Sequence, residues 1–303
     1  MPKVSVIVPN YNHAPFLRQR IDSILSQSYQ DFELILLDDC SSDNSREILL
    51  EYKNNPKVSK VIFNEHNSGS TFRQWNKGIS CALGEWIWIA ESDDYAEPGF
   101  LETLLTSVEN HPNCGLAFCS SRLINENGEI TFENENGNRG NITVFNGLDF
   151  IQQRLSLKND IWNASMMIFQ KNCYPAADQR YLYEGMHYCG DWMFYVMIAE
   201  KSDVISVEKE LNNFRQHDGN VSRKAEKSGL AWIEGLEVLR YVLPYQKPKI
   251  RTISLWCKNI CRSHKRLSFS NEILMRIRSK FKSVSVLGWL MYFPISWIYS
   301  LKK

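Results

Sequence analysis

In the first part of this chain, short apolar runs alternate with segments in which the apolar residues have the spacing of a helix. Four runs have the length and composition of buried strands, namely "KVSVIVP", "FELILL", "KVIFN" and "EWIWIA" (residues 3–9, 32–37, 60–64 and 85–90). Between them, apolar residues recur three or four positions apart, as in Leu17, Ile21, Ile24 and Leu25. Strands and helices of this length, in alternation, favour a mostly parallel sheet covered on both faces. We therefore expect an α/β fold.

The pattern continues, with longer loops, to about residue 222. Further strands are predicted over 114–124, 164–169 and 204–215, and helices after Pro98 and over 191–201. Asn44, three residues before Glu47, is a capping-box candidate for the second helix, and Gly84 is expected to end the third. The polar segment 125–141, rich in Gly and Asn, predicts a hairpin or a mobile loop.

Polar clusters follow three of the predicted strands. They are Pro9-Asn10-Tyr11 after the first, Asp38-Asp39 after the second and Glu91-Ser92-Asp93-Asp94 after the fourth. In an open parallel sheet, ligands bind beyond the carboxyl ends of the strands, so these clusters are expected to meet on one edge. No G-x-G-x-x-G turn or P-loop is present. Because carboxylates repel phosphate, such an edge suits Mg²⁺ or Mn²⁺ bridging to a diphosphate.

Two long segments carry a resemblance to a known family. They are "VSVIVPNYNHAPFLRQRIDSILSQSYQDFELILLDDCSSDNS" and "NSGSTFRQWNKGISCALGEWIWIAESDD". In their order and spacing they resemble the family 2 glycosyltransferases, and the likeness extends over roughly residues 1–222. It implies the GT-A fold, which has a Rossmann-like, mostly parallel sheet. It also implies an inverting enzyme that binds a nucleotide-diphosphate sugar and transfers the sugar to a glycan or lipid-linked glycan hydroxyl.

The resemblance also implies roles for particular residues. Those expected to bind the nucleotide sugar are Pro9, Tyr11, Asp38, Asp39, Arg73 and Asp93. Those expected to hold the metal are Asp93, Asp94 and His217. Asp191, in "EGMHYCGDWMFYVMIAE", fits the family's catalytic base, which removes the acceptor proton. The chain departs from the family at Glu91, where many relatives have Asp.

Simpler interpretations of these residues stay open. Adjacent acids after a strand often lie in a solvated turn, and Asp191 after Gly190 is also suited to capping a helix. His217, Tyr11 and Arg73 are equally compatible with ordinary surface or packing roles. Trp162, Trp192 and Tyr188 are candidates for an acceptor platform or for plain core residues.

Charge divides the chain into two parts. Residues 1–222 contain 18 basic and 30 acidic residues, whereas residues 223–303 contain 17 basic and 4 acidic residues. We expect a GT-A catalytic domain over 1–222, and over 223–303 a basic amphipathic helical region that docks on an anionic membrane. The final segment (283–303) is interrupted by Gly288 and Pro294, which disfavours a membrane-spanning helix.

Other sequence features narrow the setting. The N-terminus does not resemble a signal peptide, so a cytoplasmic protein, peripheral on the inner face of the membrane, is expected. The eight cysteines show no CxxC pairs, which argues against a zinc ribbon. The predicted site chemistry gives no support to a nucleic-acid partner. Three alternative functions stay open: a non-catalytic binding scaffold, a nucleotidyltransferase, and a phosphoryl-transfer enzyme, which the lack of a carboxylate after the first strand disfavours.

Overall fold

The computed structural model describes residues 1–133, 139–217, 225–286, 288–290 and 292. The chain forms two compact units. The first comprises Met1–Gly147, Ile161–Glu184 and Met197–His217, and the second comprises Leu148–Asp160, Gly185–Val196 and Asp218–Lys303. The expected domains, 1–222 and 223–303, stay a prediction.

The first unit is built on one mixed sheet. Its strands are β1 (Val4–Asn10), β2 (Phe32–Asp38), β3 (Val58–Phe63), β4 (Trp86–Ile89), β5 (Tyr95–Ala96), β6 (Cys114–Ile124), β7 (Ile130–Phe132), β8 (Ile142–Phe145), β9 (Met167–Gln170) and β10 (Asp203–Arg215). The order is β3-β2-β1-β4-β9-β6-β10-β5, with β7 beside β6 and β8 beside β10. The pairs β3-β2, β2-β1, β1-β4 and β6-β10 are parallel, while β9 runs antiparallel to both of its neighbours.

α-Helices accompany these strands in the part of the chain that the structure describes. They are α1 (Ala14–Leu25), α2 (Ser45–Glu51), α3 (Thr71–Cys81), α4 (Phe100–Val108), α5 (Gly147–Phe150), α6 (Tyr181–Glu184), α7 (Gly190–Ala199), α8 (Leu230–Val242), α9 (Lys249–Leu267) and α10 (Asn271–Val284). The expected alternation of strands and helices is therefore present from β1 to β4.

The core of the first unit lies against β1, whose seven residues are all buried. Helix α3 passes close to this strand at Gly78, where an added Cβ would lie 2.3 Å from Cγ2 of Ile7. Close packing of this kind fixes the strand ends, and with them the loops that follow β1, β2 and β4.

Several local predictions were wrong. Asn44 precedes α2 as expected, but its side chain makes no capping hydrogen bond, and its φ of −81° and ψ of 22° lie outside the extended region usual for an N-cap residue. Helix α3 ends at Cys81, before Gly84. The predicted strand over 164–169 begins with a 3₁₀ turn, Ala164–Met166, and only then becomes β9.

Two other predictions fall partly outside the described residues. Within the segment 125–141, β7 pairs antiparallel with β6 as the hairpin interpretation expects, and residues 134–138 lie outside the description. Most of the apolar segment at the end of the chain, residues 283–303, also lies outside the described residues. Over the residues that are described, none of the helices is both long enough and apolar enough to cross a membrane.

Candidate functional site

The loops after β1 and β2 are joined by side-chain hydrogen bonds. Nδ2 of Asn10 donates to Oδ1 of Asp38 at 3.0 Å and to Oγ of Ser41 at 3.2 Å, and Oδ1 of Asn12 accepts the N–H of Ser42 at 2.7 Å. Asn12 and Cys40 have positive φ angles of 56° and 64°, which close these turns. Pro9 is buried in β1 opposite Leu37. The two loops therefore form a single pre-shaped rim.

Asp38 and Asp39 have different surroundings although they are adjacent. Asp38 is fully buried, and its Oδ2 accepts hydrogen bonds from Nε of Arg46 at 2.9 Å and from the N–H of Ser41 at 3.0 Å. Oδ1 of Asp39 accepts bonds from Asn64, Ser68 and Gln74, and its Oδ2 accepts one from the hydroxyl of Ser68. Asp38 thus supports the rim, and Asp39 anchors the segment that leads into α3.

Two further predicted nucleotide-binding residues are accessible to solvent. The side chain of Tyr11 is 48% exposed. Arg73 is also exposed, and its Nη1 donates to the carbonyl of Ser68 at 2.8 Å. Both side chains are therefore open to a ligand from solution.

The acids after β4 are unlike one another. Burial, with the nearby charge of Asp93, raises the pKa of Glu91 to about 8, although Nε1 of Trp75 donates to its carboxylate. The same two causes raise the pKa of Asp94 to about 7. Asp94 is buried, and its two oxygens accept bonds from Nδ2 of Asn163 at 2.5 Å and from the N–H of Arg215 at 2.9 Å.

The pKa of Asp93 is shifted in the opposite direction. Burial opposes its ionisation, but a hydrogen bond from His217 and the charges of His13 and His217 outweigh that effect, so the pKa of Asp93 is lowered. Nε2 of His217 lies 3.1 Å from Oδ2 of Asp93. Negative charge at this edge is therefore concentrated on Asp93.

Three possible metal ligands meet at this point. Among the described residues, one group of His, Cys, Asp or Glu side chains has the spacing to hold an ion, and it consists of His13, Asp93 and His217, whose ligand atoms all lie within 4.8 Å of one another. We call this group the His-Asp-His cluster. Two imidazoles and one carboxylate fit a divalent transition ion such as Mn²⁺ better than Mg²⁺, which prefers oxygen ligands. Asp94, also a predicted ligand, is outside the group.

Two buried arginines lie behind the acids. The side chain of Arg20 is fully buried over the ring of Trp88, and its Nε donates to the carbonyl of Glu91 at 3.0 Å. Burial lowers the pKa of Arg20 to about 10, against the opposing charges of Asp94, Asp93 and Glu91. Arg215 donates through Nε to the carbonyl of Asp93 at 2.7 Å. These cations offset the acidic charge from inside the fold.

Asp191 belongs to the second unit, in the first turn of α7. Its Oδ1 accepts the N–H of Trp192 at 2.6 Å, and its Oδ2 accepts Nδ2 of Asn159 at 3.2 Å. Burial raises the pKa of Asp191 to about 7, and the charge of Glu234 acts in the same direction. Its assignment as the catalytic base stays a prediction.

The aromatic candidates for an acceptor platform also differ from one another. Trp192 is buried, and its ring stacks on that of Trp256 with centroids 6.0 Å apart, so it is a core residue. Trp162 is 39% exposed and lies 6.1 Å from the ring of Phe132, which is 46% exposed. Trp162 also immediately precedes Asn163, the residue bound to Asp94.

Comparison with known proteins identifies the family. The model of the family described as Glycosyl transferase family 2 matches residues 5–192. This chain belongs to that family. The recognition made from the sequence is confirmed.

Relatives and solved structures support the same assignment. The glycosyltransferase GlyG of Streptococcus pneumoniae serotype 4 is 41% identical over 35% of this chain and 35% of that protein. TuaG of Bacillus subtilis, named for teichuronic acid biosynthesis, is 33% identical over 42% of this chain and 50% of that protein. The crystal structure of S. aureus TarS 1–349 in complex with UDP-GlcNAc matches with a TM-score of 0.73 and 16% identity, covering 99% of this chain and 92% of that one.

The structural match concerns the fold, and the sequence matches cover only part of the relatives. The expected GT-A fold is confirmed by the match to TarS. The chain spans about a third to a half of the length of the curated relatives GlyG and TuaG.

Sequence reasoning missed three residues at this edge. His13 directly precedes α1, and Phe16 and Arg20 follow within the helix, at positions i+3 and i+7. Phe16 packs against both His217 and Arg215. The spacing itself was visible in the sequence. They were not predicted, because the spacing does not indicate that the end of β10 lies against this part of the chain.

Proposed function

We propose that this chain is an inverting glycosyltransferase that moves a sugar from a nucleotide-diphosphate sugar to an acceptor hydroxyl. One observation carries the proposal: the His-Asp-His cluster lies beyond the sheet edge in a member of family 2. An acidic edge repels a diphosphate unless a cation lies between them, and this cluster offers a cation three ligands.

The nucleotide is expected to lie over the rim after β1 and β2. Tyr11 is exposed and available to stack on the base, and Arg73 is available to face the phosphates. Oδ2 of Asp39 accepts one hydrogen bond, from Ser68, and a carboxylate oxygen has room for a second from the base. Pro9 and Asp38 support this rim from below. Because TarS was solved with UDP-GlcNAc, UDP-sugars are the first donors to test.

The metal proposal keeps Asp93 and His217 as ligands and adds His13. Once bound, a divalent cation would stabilise the charge that develops on the leaving diphosphate. The oxygens of Asp94 are already bound to Asn163 and Arg215, so a role as ligand would depend on their remaining lone pairs. The donor set leads us to propose Mn²⁺ as the preferred ion.

Asp191 is proposed as the general base. An inverting transfer needs one group that takes the proton of the acceptor hydroxyl during attack on the anomeric carbon. General-base catalysis is most efficient when the pKa of the base lies near the working pH, and that of Asp191 is raised to about 7.

The acceptor is proposed to be a glycan or a lipid-linked glycan in surface polysaccharide assembly. The exposed pair formed by Trp162 and Phe132 offers aromatic faces on which a sugar ring can stack, and the name of TuaG points to the same class of product. The basic C-terminal helices are proposed to dock on the anionic inner face of the membrane.

A product assay tests this proposal. The protein is incubated with Mn²⁺ and a panel of UDP-, GDP- and dTDP-sugars, and the released nucleotide is identified. We expect release of a nucleoside diphosphate from at least one donor, and a loss of about 100-fold or more in Asp93→Ala and in Asp191→Asn.

The same assay separates the alternatives. A nucleotidyltransferase would instead release pyrophosphate from a nucleoside triphosphate. A binding scaffold would release no product, and its cellular role would survive both substitutions. Either result would contradict the proposal.

A further inference from the structure

The carboxylate of Glu234, on α8, is buried against the backbone of one short segment. Oε1 accepts the N–H of His187 at 2.8 Å, and Oε2 accepts the N–H groups of Tyr188 and Cys189, also at 2.8 Å. These three donors are consecutive, and they directly precede α7, in which Asp191 is the second residue. A carboxylate here satisfies otherwise free amides and is favoured by the helix dipole.

The residue after Asp191 is held by the same C-terminal helices. The indole of Trp192 stacks on that of Trp256, from α9, with planes 12° apart. Nε1 of Trp192 donates to the carbonyl of Leu155 at 2.9 Å, and Nε1 of Trp256 donates to the next carbonyl, that of Ser156, at 2.8 Å. Asp191 is therefore preceded by a segment bound to α8 and followed by a side chain bound to α9.

Close approach of α8 depends on the residue after Glu234. A Cβ at Gly235 would lie 3.0 Å from Cη2 of Trp256, which is tighter than an ordinary contact. Glycine at this position lets α8 approach the indole pair. The contacts of Glu234 and of the two tryptophans thus belong to one packed arrangement within the second unit.

We propose that Glu234 is a positioning residue for the general base: it fixes the backbone that leads into α7 and so fixes the carboxyl of Asp191. On this view the C-terminal helices are part of the catalytic machinery, whether or not they also touch a membrane. The inference rests on the proposed function, because it takes Asp191 as the base.

The charge of Glu234 also affects the pKa of Asp191. The titratable groups that face Asp191 include Glu234 from α8, and Tyr188 and Cys189 from the segment before α7. Burial raises the pKa of both Tyr188 and Cys189, so they are neutral at pH 7, whereas the carboxylate of Glu234 opposes ionisation of Asp191. Removing the charge of Glu234 is therefore expected to lower the pKa of Asp191.

Glu234→Gln tests both consequences, with Glu237→Gln as the matched control on the same helix. Glu237 forms ion pairs with Lys280 and Arg240, whereas Glu234 accepts the backbone N–H groups before α7, so the two substitutions share only the change in charge. Hydrogen exchange of the 187–192 backbone and the pKa of Asp191, followed by carboxyl carbon NMR in Asp-labelled protein, are measured without any substrate. The release rate is then measured with UDP-GlcNAc, or with the panel donor that turns over fastest.

For Glu234→Gln we expect faster exchange at residues 187–189 and a lower pKa of Asp191. We also expect kcat to fall about 10- to 100-fold, because a displaced base is poorly aligned, while the KM for the donor changes by less than about 2-fold. Glu237→Gln should leave all four quantities near wild type. Wild-type exchange, pKa and kcat in Glu234→Gln would overturn the inference.

Two further variants keep the test decisive. If Glu234→Gln does not fold, Glu234→Asp retains the charge with a shorter reach; it should lower kcat and leave the pKa of Asp191 raised, and wild-type kcat would contradict the proposal. Asp191→Asn separates this inference from the proposed function. If that variant remains active, the assignment of the base fails, whereas the exchange and NMR results still report on Glu234.

Discussion

At the scale of single residues, the pKa values of three neighbouring acids differ because their contacts differ. Glu91 and Asp94 are buried beside like charge, which raises the pKa of each, whereas Asp93 receives a hydrogen bond from His217 and its pKa is lowered. The residue that carries the charge is thus the one that faces both histidines. This distribution favours a cation at Asp93 over a cation shared equally by all three acids.

Asp191→Asn is predicted to lower the rate of sugar transfer by about 100- to 10,000-fold, because the base is lost. It should also raise the melting temperature relative to wild type at pH 8. The pKa of Asp191 is raised to about 7 in the folded state, so its contribution to stability is full in acid and is lost as the pH rises through 7. Thermal melts from pH 5 to pH 9 check this, and a difference that shrinks with rising pH would contradict it.

His13→Ala is predicted to weaken Mn²⁺ binding at least about 10-fold, because one of the three ligands is lost. The measurement is titration calorimetry, with the exposed His66→Ala as control. Equal affinities in the two variants would remove His13 from the metal site.

The candidate residues were not equally predictable from the sequence. Asp93 and Asp94 stand out because charge follows a buried strand directly. His13 and Arg20 do not, since a single histidine or arginine on a helix gives no sign of what the opposite element carries. The contacts of Glu234 with residues 187–189 depend on how distant helices pack, which no local pattern encodes.

At the scale of elements, α1 links the two ends of the acidic edge. The ring centroid of Phe16 lies 4.7 Å from Cζ of Arg215, the last residue of β10. It lies 5.3 Å from the ring centroid of His217, two residues further along the chain. Arg215 then binds the carbonyl of Asp93. The edge of the sheet is therefore held by a helix and a strand far apart in sequence.

Gly78→Ala is predicted to destabilise the protein by about 1–3 kcal/mol, because its methyl group would clash with Ile7 and push α3 away from β1. Gly185→Ala is the control, since none of the described residues lies within 4 Å of a Cβ there, and it should change stability by less than about 0.5 kcal/mol. Urea unfolding of both variants tests this. Equal stabilities would show that the packing of α3 on β1 is loose.

The long elements were predictable because burial on both faces leaves an uninterrupted apolar run, as in β2 and β4. Two short antiparallel strands, β5 and β8, were not. β5 has two residues and β8 has four, three of them exposed, so both are too short to give a clear strand pattern in the sequence. Their pairing with β10 is decided by tertiary contacts.

At the scale of the whole molecule, positive charge is concentrated in the last part of the chain. On α9, Arg251, Lys258, Arg262 and Lys265 are exposed at helical spacing, while the opposite face buries Ile253, Trp256, Cys257 and Ile260. Such a stripe fits an anionic lipid surface, the partner proposed above.

Replacing Lys258, Arg262 and Lys265 together by Gln is predicted to weaken binding to vesicles containing anionic phosphatidylglycerol by up to about 100-fold. Co-sedimentation at low and high salt measures this. The control replaces three exposed lysines outside α9, namely Lys53, Lys60 and Lys209. Equal losses of vesicle binding in both triple variants would show that binding depends on net charge alone, and would argue against a specific docking face.

The central claim is that a divalent cation at the His-Asp-His cluster holds the diphosphate of the donor. The most direct test is calorimetric titration of nucleoside diphosphates, beginning with UDP, into the protein with Mn²⁺ and after removal of metal by EDTA. We predict tight binding of at least one nucleotide with Mn²⁺, and its loss both in EDTA and in Asp93→Ala. Equal affinity with and without metal would contradict the account.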